Sequence, residues 1–426
     1  AFLEIYQQRY PKHEYVHKSL MLKAETLFDQ KKYREAAAAY NKIDVTKIGD
    51  ANQVNLYYKR GWCLTDSGDH NGAVRDFTAF LKRAADDARA PRVIARRGKS
   101  FLALADRGAA LKDFDLLIKR YPKDKLAALA WQNSARIRKH DQDYGDMIRR
   151  YEEMIKNFPN LSKETVSNGY YWIGWGNYQI KKYAESIAAL DKAALMEPDS
   201  YDYKASMLIM YGSYALKDKR RLQLAVEKLC EMDKKNDIQL PIYRWLGVQC
   251  FNAGEMKNAQ RYLGLGTTQE DPRQTPMAYW KMLGKSCVET GMYKEALVAI
   301  KNYMNVVEQP FWKAEALLDE SVAHLGLEDL PMAKRSAEAG LALRPKGNVN
   351  AELRLILGDI AYNSQDFAGA AAHYVVVVQF ADDKKLKPAA LIKEHQALQK
   401  KGDAKEAKHY LNTLNEEFPD YLKKTD

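Results

Sequence analysis

Apolar residues recur along this chain at steps of three and four, which is the spacing of one face of an α-helix. Residues 279–307 show this most clearly, with two stripes formed by Trp280, Leu283, Gly284 and Cys287, then by Tyr293, Ala296, Ile300 and Tyr303. Gly291 interrupts the pattern between the stripes, and glycine can end a helix in a left-handed conformation. The stretch therefore predicts a helix, a tight turn and a second helix, each with one apolar face.

The same pattern repeats along almost the whole chain. Its best marker is a small residue in the second helix, which recurs eleven times at intervals of 34 to 39 residues: Ala36, Ala73, Ala110, Met147, Ser186, Ala225, Ala259, Ala296, Ala333, Ala370 and Ala407, with Met147 as a departure. A small residue also recurs in the first helix, as at Gly61, Gly98 and Gly284. Small residues at regular positions predict close helix–helix contacts.

This order of large and small residues resembles the tetratricopeptide repeat, whose pattern W-x2-L-G-x2-Y…A-x3-F…P matches Trp280, Leu283, Gly284 and Ala296. The resemblance implies an all-α fold, a right-handed α-solenoid of about eleven helix pairs. It also implies that the first helices line a concave groove for a protein ligand. We expect residues 1–15 to be the second helix of a truncated repeat and residues 16–426 to form one continuous solenoid. The chain is expected to be a fragment of a longer protein.

Charge is unevenly distributed. The 426 residues carry a formal net charge of +11, and residues 82–150 hold 18 Lys and Arg against 9 Asp and Glu. A basic block raises the local concentration of anionic partners, such as acidic protein segments, anionic lipid or glycan. Nucleic acid is not favoured, because basic and aromatic residues are not interleaved within one repeat. No run of 18 apolar residues is present, so the sequence predicts no transmembrane helix.

One motif suggests enzyme chemistry. His13, Glu14 and His17 match H-E-x-x-H, in which two histidines on one helical face hold zinc and the glutamate is a general base. The motif lies just after Pro11, in a turn, and a chance match at a helix start is the favoured interpretation. No phosphate-binding loop or nucleophile elbow is present. We expect no catalytic residue, no metal and no cofactor. Cys250 and Cys287 occupy the same position of adjacent repeats on the buried stripe, where reduced thiols are favoured over a disulfide.

The remaining candidates lie on the face of the first helices, beside the buried stripe. Their ring and basic side chains are those that dominate protein interfaces. The predicted partner-binding residues are Tyr58, Trp62, Arg92, Arg96, Lys99, Arg136, Lys139, Tyr171, Trp175, Tyr178, Tyr214 and Phe251. The competing interpretation is that these rings are tucked into contacts between repeats.

The sequence thus predicts a non-catalytic scaffold that binds a peptide or partner segment in its groove, and an acidic segment would match the basic block. Two alternatives stay open: a zinc-dependent peptidase using the His13 motif, and a structural spacer within a larger machine. Aromatic-Pro endings at Tyr10-Pro11, Tyr121-Pro122 and Phe158-Pro159 resemble those of bacterial envelope repeat proteins. That resemblance implies a periplasmic or envelope-associated setting, with a cytoplasmic one as the alternative. The oligomeric state and the identity of the partner are left open.

Overall fold

The computed structural model describes residues 2–10, 13, 15–267, 274–381 and 383–421. Over these ranges the chain is built from 23 α-helices and two short 3-10 helices, Val45–Lys47 and Lys235–Asp237, with no β-strand. It divides into two compact units, Ala1–Met232 (unit 1) and Asp233–Asp426 (unit 2). In the part that the structure describes, no helix is both long and apolar enough to cross a membrane.

Unit 1 begins with a lone helix, α1 (Phe2–Arg9), followed by six helix pairs. The pairs are α2 (Val16–Asp29) with α3 (Tyr33–Asn41), α4 (Asp50–Ser67) with α5 (His70–Arg83), α6 (Ala90–Ala103) with α7 (Arg107–Arg120), α8 (Lys125–His140) with α9 (Tyr144–Asn157), α10 (Lys163–Gln179) with α11 (Tyr183–Met196), and α12 (Pro198–Leu216) with α13 (Lys219–Glu231). Each helix packs against the next one along the chain.

Unit 2 contains five pairs of the same kind. They are α14 (Leu240–Asn252) with α15 (Met256–Gly266), α16 (Met277–Glu289) with α17 (Tyr293–Met304), α18 (Pro310–Gly326) with α19 (Leu330–Ala342), α20 (Asn348–Asn363) with α21 (Phe367–Phe380), and α22 (Leu386–Lys401) with α23 (Ala404–Glu417). Within this unit each first helix also contacts the first helix of the next pair. The all-α solenoid predicted from the sequence is confirmed.

One turn geometry joins the helices of every pair. A residue with positive φ ends the first helix, and these residues are Lys31, Gly68, Ala105, Gln142, Lys181, Lys217, Gly254, Gly291, Glu328, Gln365 and Gly402. In six pairs an aspartate then caps the second helix, as when the Asp106 carboxylate accepts a hydrogen bond from the Ala109 amide at 2.9 Å. This side-chain cap satisfies an amide that the helix itself leaves unpaired.

The small residues predicted at close contacts lie where the two helices of a pair meet. A Cβ added at Gly61 would lie 2.7 Å from the Phe77 ring, and one added at Gly358 would lie 2.3 Å from the Tyr374 ring. All eleven second-helix markers are buried, including Met147 and Ser186. The helix–helix register drawn from the sequence is therefore confirmed in both units.

The last pair has histidine instead of a small residue at the first-helix position. His395 Nδ1 lies 2.8 Å from the carbonyl oxygen of Ala407 on α23. Ser321 makes the equivalent contact in α18, where its hydroxyl donates to the carbonyl oxygen of Ala333 at 2.8 Å. A polar side chain thus replaces the missing close approach with a hydrogen bond to the partner helix.

Candidate functional site

The predicted partner-binding residues all lie on first helices. Eleven of them belong to unit 1, on α4, α6, α8, α10 and α12. Phe251, at the end of α14, belongs to unit 2 and is half-buried. The first-helix face of unit 1 therefore carries almost the whole predicted set.

Aromatic and basic residues interlock between α4 and α6. The Arg96 guanidinium lies 3.3 Å from the centroid of the Trp62 ring and donates to Asp66 at 3.0 Å. Tyr58 is buried, and Arg92 reaches its hydroxyl at 3.4 Å. A cation over an aromatic face is attracted by the ring quadrupole. The rings thus fix where these positive charges are held.

A second cation–ring group joins α8 to α10. The Lys139 ammonium lies 3.6 Å from the centroid of the Trp172 ring and 5.2 Å from that of Trp175. Partial burial, together with the nearby Arg136, lowers the pKa of Lys139. Tyr144 packs edge-on against Trp175 with a centroid distance of 5.4 Å. The ammonium is therefore held in place by aromatic rings.

The remaining predicted tyrosines pack against neighbouring rings or a lysine. Tyr171 stacks on Tyr201 of α12, with centroids 5.0 Å apart. Burial raises the pKa of the Tyr171 phenol. Tyr178 lies edge-on to Tyr183, and Lys217 covers the Tyr214 ring at 4.1 Å. Most predicted rings thus take part in contacts between or within helix pairs, while keeping one side partly exposed.

Four of the predicted cations have no acidic partner. Among the described residues, no carboxylate lies within salt-bridge distance of the side chains of Arg92, Lys99, Arg136 or Lys139. Arg92, Lys99 and Arg136 are exposed, and Lys139 is half-buried. These four residues, on α6 and α8, are called the cation row. Their charge is uncompensated within unit 1.

The structure adds neighbours that sequence reasoning missed. Trp172 contacts Lys139, Tyr201 stacks on Tyr171, and the Arg89 guanidinium lies 5.0 Å from the Tyr58 ring centroid. Trp172 is one residue from the predicted register, next to Tyr171. A wider helical face, rather than a single stripe, would have included it.

Beneath this face, buried carboxylates of unit 1 are paired with arginine. Arg60 on α4 makes a bidentate bond to Asp76 on α5, with both N–O distances at 2.7 Å. Arg97 on α6 makes the equivalent bond to Asp113 on α7, at 2.8 and 2.6 Å. Burial raises the pKa of Asp76 and Asp113, and the arginine partners oppose this shift.

The first-helix face of unit 2 has a different chemistry. Lys281 on α16 lies 2.6 Å from Glu315 on α18, and its ammonium covers the Trp312 ring at 3.7 Å. Burial raises the pKa of the neighbouring Asp319 to about 6, and it also raises the pKa of Glu352 on α20. This face mixes acids and bases, whereas the face of unit 1 is basic and aromatic.

The two histidines of the H-E-x-x-H motif do not lie on one helix. His13 precedes α2, which begins at Val16, and its Nδ1 lies 2.8 Å from the Tyr6 hydroxyl. His17 Nδ1 accepts a hydrogen bond from the Asp44 amide at 3.3 Å. Glu14 lies outside the described residues. Among the described residues, no three His, Cys, Asp or Glu side chains are grouped to hold a metal ion.

Three of the four cysteines are buried, among them Cys250 and Cys287, which the sequence placed on the buried stripe. Cys63, Cys250 and Cys287 are buried and Cys230 is half-buried. Burial raises the pKa of Cys63 and of Cys287 to about 12. Thiols with raised pKa values are poor nucleophiles, because the thiolate is the reactive form.

Stacked helix pairs of this kind define a helical repeat protein. Residues 318–384 match the family model described as Tetratricopeptide repeat, and the same pattern recurs through the other pairs. Residues 318–384 are therefore assigned to the tetratricopeptide repeat, and the other helix pairs resemble it in their pattern. No curated protein sequence matches it significantly.

Solved structures that resemble the chain are distant from it. MamA from Desulfovibrio magneticus RS-1 (residue 41 to the end) is 18% identical, with 44% of this chain and 97% of that chain covered and a TM-score of 0.35. A tetratricopeptide repeat protein from Parabacteroides merdae ATCC 43184 is 11% identical, covering 71% and 98%, with a TM-score of 0.31. The Naa15/Naa10 complex bound to HypK-THB is 12% identical, covering 98% and 73%, with a TM-score of 0.39.

Proposed function

We propose that the chain is a non-catalytic scaffold whose first-helix face in unit 1 binds an acidic segment of a partner protein. Tetratricopeptide-repeat proteins as a class bind other proteins. The acidic, extended nature of the ligand is the part that this proposal adds. Its site is the cation row together with the rings of Trp62, Trp172 and Trp175.

The observation that carries the proposal is the uncompensated charge at Lys139. Its ammonium sits over two indole rings, beside Arg136, with no carboxylate of the described residues in reach. Burial and Arg136 lower the pKa of Lys139, so its charged form is less favoured than that of an isolated lysine. A partner carboxylate placed here would stabilise that charge.

The rings and the charges contribute differently to such binding. Charges that face solvent mainly increase the association rate and make it depend on salt. Trp175 and Trp172 are half-buried, so their free edges can pack against an apolar side chain of the ligand. Buried indoles are common hot spots, and removing one costs about 2 kcal/mol or more of binding free energy.

The cellular setting is proposed from the aromatic-Pro endings alone. These endings support a place in a bacterial envelope assembly, in the periplasm. A spacer role in such an assembly would not need the cation row, so binding at the row separates the two possibilities.

Binding is tested with two synthetic probes. The Asp–Leu probe is a short fluorescein-labelled peptide of Asp and Gly with two Leu residues, and the Lys–Leu probe replaces each Asp by Lys. Fluorescence anisotropy should show saturable binding of the Asp–Leu probe, weakening as salt is added, and none of the Lys–Leu probe. Equal binding of both probes would overturn the proposal, and so would failure of both to bind.

A matched pair of variants places the site. Lys139→Glu should lower the affinity for the Asp–Leu probe by about tenfold or more, which corresponds to about 1.4 kcal/mol of binding free energy. Lys112→Glu makes the same charge change at an exposed position on the second helix α7 and should leave the affinity nearly unchanged. If both variants weaken binding equally, the probe senses net charge and not this face.

A further inference from the structure

The last helix pair contains a buried carboxyl group without a partner. Glu394 on α22 is 3% exposed, and its Oε2 atom has no hydrogen-bond partner among the described residues. An unpaired polar atom in this position carries a desolvation cost. Buried acids of this kind are rare unless they are paired, so Glu394 calls for an explanation.

Groups that could stabilise a charged Glu394 are scarce. Glu406 on α23 disfavours the carboxylate, whereas Lys401, on the same helix as Glu394, favours it. Burial raises the pKa of the nearby Tyr410 phenol on α23, and the negative charge of Glu394 raises it further. On α21, the Tyr374 hydroxyl donates to Asp359 at 2.6 Å instead. Ala397 and Leu398, three and four residues after Glu394 on α22, belong to the local apolar core.

In several other helix pairs, the residue at the position of Glu394 has a hydrogen-bond partner on the second helix. Glu394 occupies the first-helix position that is Arg60 and Arg97 in unit 1, where each arginine bonds to an aspartate on the second helix. In α18 the same position is Glu320, which accepts a hydrogen bond from the Ser336 hydroxyl at 2.8 Å. In the last pair, no such donor reaches Glu394.

We propose that α22 and α23 form a pH-sensitive element, closed while Glu394 is protonated and opening more often once Glu394 is ionised. The neutral acid fits an apolar helix contact, whereas the carboxylate is repelled by Glu406 and lacks a counter-ion there. The element lies in unit 2, whereas the proposed peptide-binding face lies in unit 1.

The direction of the effect follows from linkage. Burial raises the pKa of Glu394 from 4.5 to about 7, with Glu406 as the second cause. The closed form therefore holds a proton that the open form releases, and closure is lost as pH rises from about 4.5 to about 7. Between pH 5 and pH 8 the opening equilibrium should increase by about 70-fold, and above pH 8 it should change little more.

Hydrogen exchange followed by mass spectrometry on the full chain tests this element. After correction for the intrinsic pH dependence of exchange, peptides from α22 and α23 should lose protection between pH 5 and pH 8. Glu394→Gln removes the titrating group and should abolish that loss. Glu406→Gln, a change at an exposed position, should move the midpoint to lower pH, because it removes a repelling charge.

Two outcomes would overturn the proposal. One is an equal loss of protection in the parent and in Glu394→Gln, which would assign the pH dependence to other groups. The other is unchanged protection of α22 and α23 across this pH range in the parent. Because Asp319 also titrates in unit 2, the readout is confined to peptides 386–417.

Discussion

Units 1 and 2 are built from the same helix pairs but differ in their charge. Unit 1 contains 41 Lys and Arg against 30 Asp and Glu, so it accounts for the whole net charge of +11, while unit 2 contains 26 of each. The repeat register fixes which side chains face a neighbouring helix. It does not determine the charge of those side chains, and the charge differs between the two units.

The difference extends to buried positions. In unit 1 the buried carboxylates Asp76 and Asp113 have bidentate arginine partners. In unit 2 burial raises the pKa of Asp319 to about 6 and that of Glu394 to about 7, and neither has an arginine partner among the residues that the structure describes. A single fold thus carries two charge arrangements: buried acids paired with arginine in unit 1, and buried acids with raised pKa values in unit 2.

The largest expected effect comes from breaking a buried pair in unit 1. Arg97→Ala leaves Asp113 buried and unpaired, which should destabilise the protein by about 3–5 kcal/mol. Urea unfolding followed by circular dichroism measures the loss. Replacing both residues by Leu should restore most of the stability, since an apolar pair of similar size removes the uncompensated charge. If the double variant is as unstable as the single one, the effect comes from packing and not from charge.

The next largest effect is the pH dependence of stability at Asp319 in unit 2. Because the pKa of Asp319 is raised from 3.8 to about 6, stability that is present below pH 3.8 is lost as pH rises to about 6. Asp319→Asn should remove this loss and make α18 more stable at pH 7, by about 2–3 kcal/mol at most. Hydrogen exchange in α18 at pH 4 and pH 7 is the measurement. Equal protection of α18 at pH 4 and pH 7 in the parent protein would contradict the raised pKa.

The smallest effect should appear in both units, because it depends on packing alone. Gly98→Ala in unit 1 and Gly358→Ala in unit 2 each push a Cβ to within 3.0 Å of an aromatic ring, and each should cost about 1–3 kcal/mol. Gly264→Ala is the control, since nothing lies within 4 Å of its added Cβ. That control should be neutral or stabilising by up to about 1 kcal/mol, because alanine favours helix. Thermal unfolding of the three variants separates these outcomes.

Much of the fold could be predicted because the same pattern of apolar and small residues occurs in eleven repeats. The close approach of Gly284 to Ile300 and the burial of Ala296 follow from spacing, and the structure confirms both. The turns were harder to predict from the sequence. Glycine marks the positive-φ position in only four pairs, at Gly68, Gly254, Gly291 and Gly402, and the seven other pairs have a non-glycine residue there. The packed helices hold those residues in place, which no local signal reveals.

The candidate site was predictable only in outline. Periodicity placed Trp62, Lys139 and Trp175 on first helices, but it could not show which ring each cation covers. Those contacts join neighbouring helix pairs, as when Lys139 of α8 reaches Trp172 of α10. The unpaired Glu394 was also hidden, because its lack of a partner depends on Tyr374 being bonded to Asp359.

The most direct test of the comparison is hydrogen exchange of the full chain with and without the Asp–Leu probe. The account predicts added protection on α6, α8 and α10 of unit 1, which carry the cation row, Trp172 and Trp175. It predicts no added protection on α16, α18 and α20 of unit 2, whose face pairs Lys281 with Glu315. Protection confined to unit 2, or equal in both units, would contradict the claim that unit 1 carries the acidic-segment site.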